Sequence, residues 1–234
     1  TEKRPVMVFI HGGAYAIGSI FAPMADMQHI VAQGDVVGVA IAYRLGPFGF
    51  LYTGDDSTAV PTNIGLRDQI FALEWVRDNI HLFGGDPTRV TIHGASAGAM
   101  SVGSLILSPL ARGLFQRAIL HGGAPNSDFF TLSKAKSLAL MRNYAKKVNC
   151  NGEGETSAKI IECLRTKNVD ELVQPLRMDF TRLDGYFTPI FGDDVLPHSP
   201  LEALAKGRDL NRDVDLMYGV TQNEGGYFAV SMFP

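Results

Sequence analysis

Residues 90–103 read VTIHGASAGAMSVG, and this stretch restricts the fold of the 234-residue chain more than any other. An apolar run at 90–93 leads into small residues, and 97–107 then reads as a helix. Ser96 therefore falls on a sharp turn from strand to helix, between Gly94 and Gly98 at G-x-S-x-G spacing. The small neighbours Gly94, Ala95, Ala97 and Gly98 let other segments pass close by. A serine held there is expected to be strained, with its hydroxyl exposed at the carboxyl end of a sheet and beside a helix amino terminus that favours a developing anion. With 25 glycines in the chain, the same pattern also fits a plain glycine-rich helix start packed on a strand, so the rest of the sequence must decide.

A second stretch points the same way. Residues 6–15, VMVFIHGGAY, run from an apolar strand straight into His11, Gly12 and Gly13. Consecutive glycines after a strand leave backbone amides unobstructed, which suits the binding of an oxyanion by an HGGG-type loop. Ala14 occupies the third glycine position. The expected donors are the amides of Gly13, Ala14 and Ala97, the last because it follows the nucleophile. His11 is expected to shape the loop without taking part in chemistry.

Apolar patterning predicts strands at 6–10, 36–43, 90–93, 117–120 and 215–220. A helix is predicted over 64–80, where Leu66, Ile70, Leu73, Val76 and Ile80 recur at spacings of three and four, and Trp75 is read as packing in the same core. The glycines and Pro87 of FGGDP are expected to end that helix. Residues 131–175 read as mostly helical and more polar. Strands alternating with helices argue for one α/β domain over 1–234 with a parallel central sheet, the excursion at about 131–175 lying over its active face. Hydrophobic residues make up 46% of the chain and charged ones 19%, enough apolar material for a sizeable core. The net charge of −3 and the lack of a basic cluster interleaved with aromatics argue against nucleic acid as a partner. No apolar run reaches the roughly 18 residues a membrane span needs. The amino terminus, TEKRPVMVFI, has no signal-peptide layout and enters a strand almost at once without an initiator methionine, so the sequence is expected to be cut at its front.

With these residues in view, the chain resembles the type-B carboxylesterase and cholinesterase family of α/β-hydrolases. The resemblance is carried by FIHGGAY (9–15), YRLGPFGFL (43–51), NIGLRDQIFALEWVRDNIHLFGGDPTRVTIHGASAG (63–98) and LMYGVTQNEGGYF (216–228), in the family's order. It implies an α/β-hydrolase fold, with a mostly parallel central sheet and helices on both faces, incomplete at both ends of this chain. The activity it implies is hydrolysis of small carboxylic esters through an acyl-enzyme, by a serine, histidine and glutamate triad without cofactor or metal. The nucleophile falls on Ser96 and the acid on Glu224. The residues alone would equally nominate Asp193, Asp194 or Asp215 as the acid. In the family the histidine lies on the order of a hundred residues beyond the acid, in the chain order serine, acid, histidine. All six histidines here precede Glu224 and are expected to be structural or on the surface. The base is thus expected outside this chain, and the 234 residues alone are expected to be inactive.

The resemblance further pairs Cys150 with Cys163 in a short disulfide loop, which implies a secreted parent protein. Ala95 stands where cholinesterases of the family carry a glutamate that helps to hold a cationic choline group, so neutral esters are expected as substrates. Phe187 matches an acyl-pocket position, and Gly185 stands where a cholinesterase carries a second bulky ring. Two alternatives stay open: a non-catalytic adhesion or binding module on the same fold, and an acetylcholinesterase-like enzyme.

Overall fold

The structure is a computed structural model that describes residues 2–54, 60–126, 131–150, 155–176, 186–226 and 229. Five strands, β1 (Arg4–Ile10), β2 (Val37–Ile41), β3 (Gly85–Ala95), β4 (Arg117–His121) and β5 (Asp215–Gly219), form one sheet in the order β2-β1-β3-β4-β5, and every neighbouring pair is parallel. The helices are α1 (Gln28–Gly34), α2 (Gly46–Phe50), α3 (Ile64–Asn79), α4 (Ala97–Leu107), α5 (Lys134–Lys147), α6 (Ser157–Thr166), α7 (Val169–Val173) and α8 (Pro200–Lys206). This is the α/β class with a parallel sheet, consistent with an α/β-hydrolase fold.

Alternation along the strands sorts the sheet into two faces. Val6, Val8, Ile10, Ile41, Val90, Ile92, Ala118 and Leu120 point to one side and join Leu66, Ile70, Leu73 and Val76 of α3 and Val102 and Leu105 of α4 in the main core. Met7 and Phe9 point to the other side, where they meet Ala25 and Met27. A Cβ on Gly38 would touch the side chains of Val31 and Met27, so α1 lies against β2 on that face. Helices therefore cover both faces at the β1 and β2 end. At the other end, all five residues of β5 are exposed among the described residues.

Expected and observed boundaries differ at two informative places. The helix over 64–80 forms as α3 and tightens at Ile80–Phe83 into a 3₁₀ turn, closed by Gly84 at φ 79°. Pro87 does not stand outside the next strand but within it. It is tolerated because the pairing of β3 with β1 is irregular there, with a register shift between Arg4 and Val6. Trp75 is a correction: it is 46% exposed and lies against Phe83 at 5.8 Å between ring centroids. At 100° per residue it sits about 180° around α3 from Leu66, on the solvent side of a stripe that other apolar residues already fill.

The stretch after β4 is helical as expected. Side chains of Ser133, Thr156 and Asn168 cap α5, α6 and α7 by accepting from the amides three residues on. A disulfide joins Cys150 to Cys163. The excursion is tied back to the start of α3 by Asn63, whose buried amide group donates to Ile190 O at 2.8 Å and accepts from Ile190 N at 2.9 Å. No helix among the described residues is long and apolar enough to cross a membrane.

Candidate active site

Because the sheet is parallel, the segments leaving β1, β3, β4 and β5 all emerge at one edge. The register sets Ile10 beside Gly94, Ala95 beside His121 and His121 beside Gly219. His11, Ser96, Gly122 and Val220 thus follow the four strand ends, and neighbouring strands lie about 4.8 Å apart.

Ser96 sits between β3 and α4 at φ 55° and ψ −123°, a conformation that L-residues rarely adopt, and its side chain is exposed. The surroundings hold it there. Its amide donates to His121 O at 2.9 Å, and its carbonyl accepts from Met100 N at 3.0 Å in the first turn of α4. A Cβ on Gly98 would lie 2.1 Å from Ile10 O, so only glycine lets α4 start this close to the end of β1. Ala97 is the first residue of α4, and its amide is one of the donors that a helix amino terminus leaves unpaired.

The loop after β1 presses against this turn, since a Cβ on Gly12 would come within 3.3 Å of Ser96 Cβ. Gly13, Ala14 and Tyr15 follow with φ of 111°, 54° and 58°. Glycine takes such a φ without strain, but Ala14 and Tyr15 are costly there, and the anchors are local: Gly13 O accepts from Ala16 N and Ile17 N, and Tyr15 O accepts from Gly46 N at 2.7 Å. The Tyr15 ring is buried edge-on to Phe50, and burial raises its hydroxyl pKa. His11 is buried and stacked on Tyr43 at 4.4 Å, and its Nδ1 donates to Gly12 O at 2.9 Å. Tyr43 in turn donates its hydroxyl to His11 O at 2.7 Å. Burial lowers the His11 pKa, opposed by the bond to Gly12. Nothing in the spacing of the sequence announces the Tyr43 partnership, which fixes the loop from behind.

Glu224 lies in the turn beyond β5, exposed, with Oε2 accepting from Thr221 N at 2.6 Å and Thr221 Oγ1 at 3.0 Å. The three other carboxylates that the residues alone would nominate are engaged elsewhere. Asp193 accepts from Thr62, Asn63 and the amides of Val195 and Leu196. Asp194 pairs with Arg67, and Asp215 faces Arg117.

None of the six histidines is presented to Ser96 as a base. His29 is exposed on α1, and His81 lies in the 3₁₀ turn at the amino end of β3. His93 is buried with its ring against Phe9 and His121, and its Nε2 has no hydrogen-bond partner among the described residues. Burial, reinforced by the neighbouring His121, pushes its pKa down to about 4. The His121 ring is turned toward His93 at 6.0 Å, on the side of the sheet that bears Phe9. His198 pairs with Asp209 at 2.5 Å, and Asn211 N donates to Ile106 O nearby, at the far end of α4. Eleven residues of helix put that end about 15 Å from Ser96.

Phe187 is only 3% exposed, with its ring edge-on to Tyr144 of α5 at 5.2 Å. Gly185 lies outside the described residues. Among the described residues no group of three or more histidine, cysteine or acidic side chains could hold a metal ion.

Comparison with known proteins adds three kinds of relative. The sequence model of the carboxylesterase family matches residues 1–234. A para-nitrobenzyl esterase of Bacillus subtilis (strain 168) is 37% identical over 233 residues, covering 97% of this chain and 45% of its own. An acetylcholinesterase of Bungarus fasciatus is 36% identical over 239 residues, covering 100% of this chain and 38% of its own. A neuroligin-2 of Mus musculus is 43% identical over 227 residues, covering 95% of this chain and 25% of its own. The chain spans less than half the length of each of these relatives.

Proposed function

This chain belongs to the carboxylesterase family, and from that premise we propose that it carries the nucleophile, the oxyanion-binding amides and the acid of a serine carboxylic ester hydrolase. The observation that carries the reading is Ser96 itself, exposed at φ 55° on a turn whose packing permits no relaxation, at the sheet edge shared by the His-Gly-Gly loop and Glu224.

Ser96 Oγ attacks the ester carbonyl carbon while its proton passes to an imidazole supplied from outside these 234 residues. The carbonyl oxygen becomes an anion and accepts from the amides of Gly13, Ala14 and Ala97. Collapse of the tetrahedral species breaks the bond to the alcohol oxygen, which leaves with the proton from the imidazolium. Water then attacks the acyl-serine with the same imidazole as base, and the acid departs as Ser96 regains its hydrogen. Glu224 holds the imidazole in one tautomer and stabilises its cation. Ala95 adds no carboxylate beside the nucleophile, which favours neutral esters over cationic ones. Phe187 would bound the acyl group. The Cys150–Cys163 bond favours an oxidising, extracellular setting for the whole protein.

The test is covalent labelling of the full-length protein by an organophosphate, with the adduct located by mass spectrometry and esterase activity followed on a p-nitrophenyl ester. The adduct is expected on Ser96, with labelling and turnover both lost in Ser96→Ala; an adduct on another serine removes the nucleophile assignment. A preference for acetylthiocholine over a neutral thioester of equal acyl length returns the substrate to the choline esters. The second reading, a non-catalytic binding module, is favoured by the 43% identity to a relative whose name states no hydrolysis. It prevails if the full-length protein neither labels nor turns over.

A further inference from the structure

Taking the amides of Gly13, Ala14 and Ala97 as the oxyanion donors of the proposed hydrolase, a reading on which this role depends, we infer that Tyr43 is the positioning residue of the loop that carries the first two. Its hydroxyl pins the carbonyl of His11, its ring backs the His11 imidazole, and the imidazole pins the carbonyl of the peptide that bears the Gly13 amide. An anion site built from two segments works only if both reach the same point, since each donor must lie about 2.7–3.1 Å from the developing charge. Ala97 opens α4, whereas Gly13 and Ala14 follow β1. The order β2-β1-β3 puts the loop between two flanks. On the β3 side the approach is already closed: a Cβ on Gly12 would lie 2.5 Å from Ala95 O, and one on Gly98 would lie 3.0 Å from His11 O. These contacts stop the loop from advancing on Ser96. On the β2 side, where Ile41 pairs with Ile10, Tyr43 stands two residues past the strand end and stops it from receding.

A trans peptide holds its carbonyl and its amide in one plane, pointing opposite ways. The Gly12 carbonyl and the Gly13 amide share such a plane, so the bond from His11 Nδ1 to Gly12 O at 2.9 Å sets the direction in which the Gly13 amide points. Donation to that carbonyl also polarises the peptide and strengthens its amide as a donor. The preceding peptide is fixed in the same manner, by the Tyr43 hydroxyl on His11 O at 2.7 Å. The two rings lie 4.4 Å apart and 19° from parallel, which holds the imidazole in line with its acceptor. Both side chains are buried within the described residues, and burial, with Tyr15 nearby, raises the Tyr43 pKa, so the hydroxyl keeps its proton. Two consecutive glycines would otherwise have wide conformational freedom at the point where the donors must be fixed. Tyr43 and His11 remove that freedom through the carbonyls and leave the amides clear.

Tyr43→Phe, His11→Phe and the double variant are to be compared in the full-length protein by kcat and KM on a neutral p-nitrophenyl ester, by melting temperature, and by inhibition with an alkyl trifluoromethyl ketone, whose adduct with the serine places an oxyanion at the donors. Tyr43→Phe keeps the stacked ring and loses the hydroxyl. It is expected to lower kcat about tenfold and to weaken the ketone by the same factor, with KM within about twofold. His11→Phe keeps the stack, loses the imidazole donor and is expected to cost about as much. Because both act on the same two peptides, the double variant should lose about twentyfold rather than the hundredfold that independent effects would give. A purely structural pair predicts a lowered melting temperature with kcat per folded molecule and ketone affinity unchanged. That result, or a loss that falls on KM alone, in a protein that Ser96→Ala inactivates, overturns the positioning role and leaves the hydrolase reading standing. Losses that multiply to a hundredfold overturn the route through His11. A full-length protein that stays fully active as Ser96→Ala, or that neither turns over nor takes up an organophosphate, overturns the hydrolase reading and the positioning role with it.

Discussion

The two halves of the candidate site are built in opposite ways. The nucleophile half, β1, β3 and α4, is packed so closely that Val6, Val8, Val90, Ile92 and Val102 expose no surface, and backbone approaches at Gly12 and Gly98 leave no room for a Cβ. The acid half rests on β5, where Leu216, Met217 and Tyr218 are 53%, 66% and 77% exposed. A strained residue persists only where its surroundings over-determine it, which places Ser96 on the rigid half. Glu224 adopts no such conformation and is held by short-range hydrogen bonds. Among the described residues, Ser96 is thus held by core packing and Glu224 by the hydrogen bonds of its own turn.

The largest effect that separates the halves is catalytic. Ser96→Ala is expected to lower kcat of the full-length protein about 10⁶-fold and Glu224→Gln about 10⁴-fold, the asymmetry seen when a nucleophile or an orienting acid is removed from a triad. Equal losses would show that Glu224 does more than orient. Next comes stability. Ile92→Ala, in the packed half, should cost about 4 kcal/mol by urea denaturation, and Leu216→Ala, on the open strand, under about 1 kcal/mol. A Leu216 that proves as costly as Ile92 would mean that β5 is covered by another segment when the whole protein folds. The smallest effect is pH-dependent and belongs to His93. Its folded pKa of about 4 lies below the ordinary 6.5, so the unfolded chain binds the proton first. Its share of stability is complete above about pH 6.5 and is lost as the pH falls toward 4. Between pH 8 and pH 5 this amounts to about 2 kcal/mol. His93→Phe should flatten the profile over that window, and an unchanged profile would show that His93 finds a partner in the full-length protein.

How legible all this was differs residue by residue. The strand-turn-helix around Ser96 follows from spacing, because close backbone approach demands small residues that leave a visible mark, and α4 falls at 97–107 as its pattern predicts. Trp75 misled because a run of apolar residues on a helix does not say which of them faces the core when the inward stripe is already full. The strand through Pro87 was hidden because a register shift is a property of two paired strands and not of either one alone. Glu224 emerged only from the resemblance, since Asp193, Asp194 and Asp215 are equally acidic, and what distinguishes them is the partners that the fold brings to each. The positive φ of Ala14 and Tyr15 has no residue-level signal at all. Thr221 did have one, its spacing of three before a glutamate, although that pattern ordinarily marks a helix start.

The Asn63 amide that grips both backbone groups of Ile190 has a kinetic consequence. It closes a loop of 127 residues, at an entropic cost of roughly 4 kcal/mol from chain length alone. Two hydrogen bonds return about 1 kcal/mol each, too little to draw the ends together unaided. The contact must therefore come late in folding, after the sheet has shortened the effective loop. It should also be among the first to open in native-state hydrogen exchange, releasing the helical excursion while β1, β3 and α4 stay closed around Ser96.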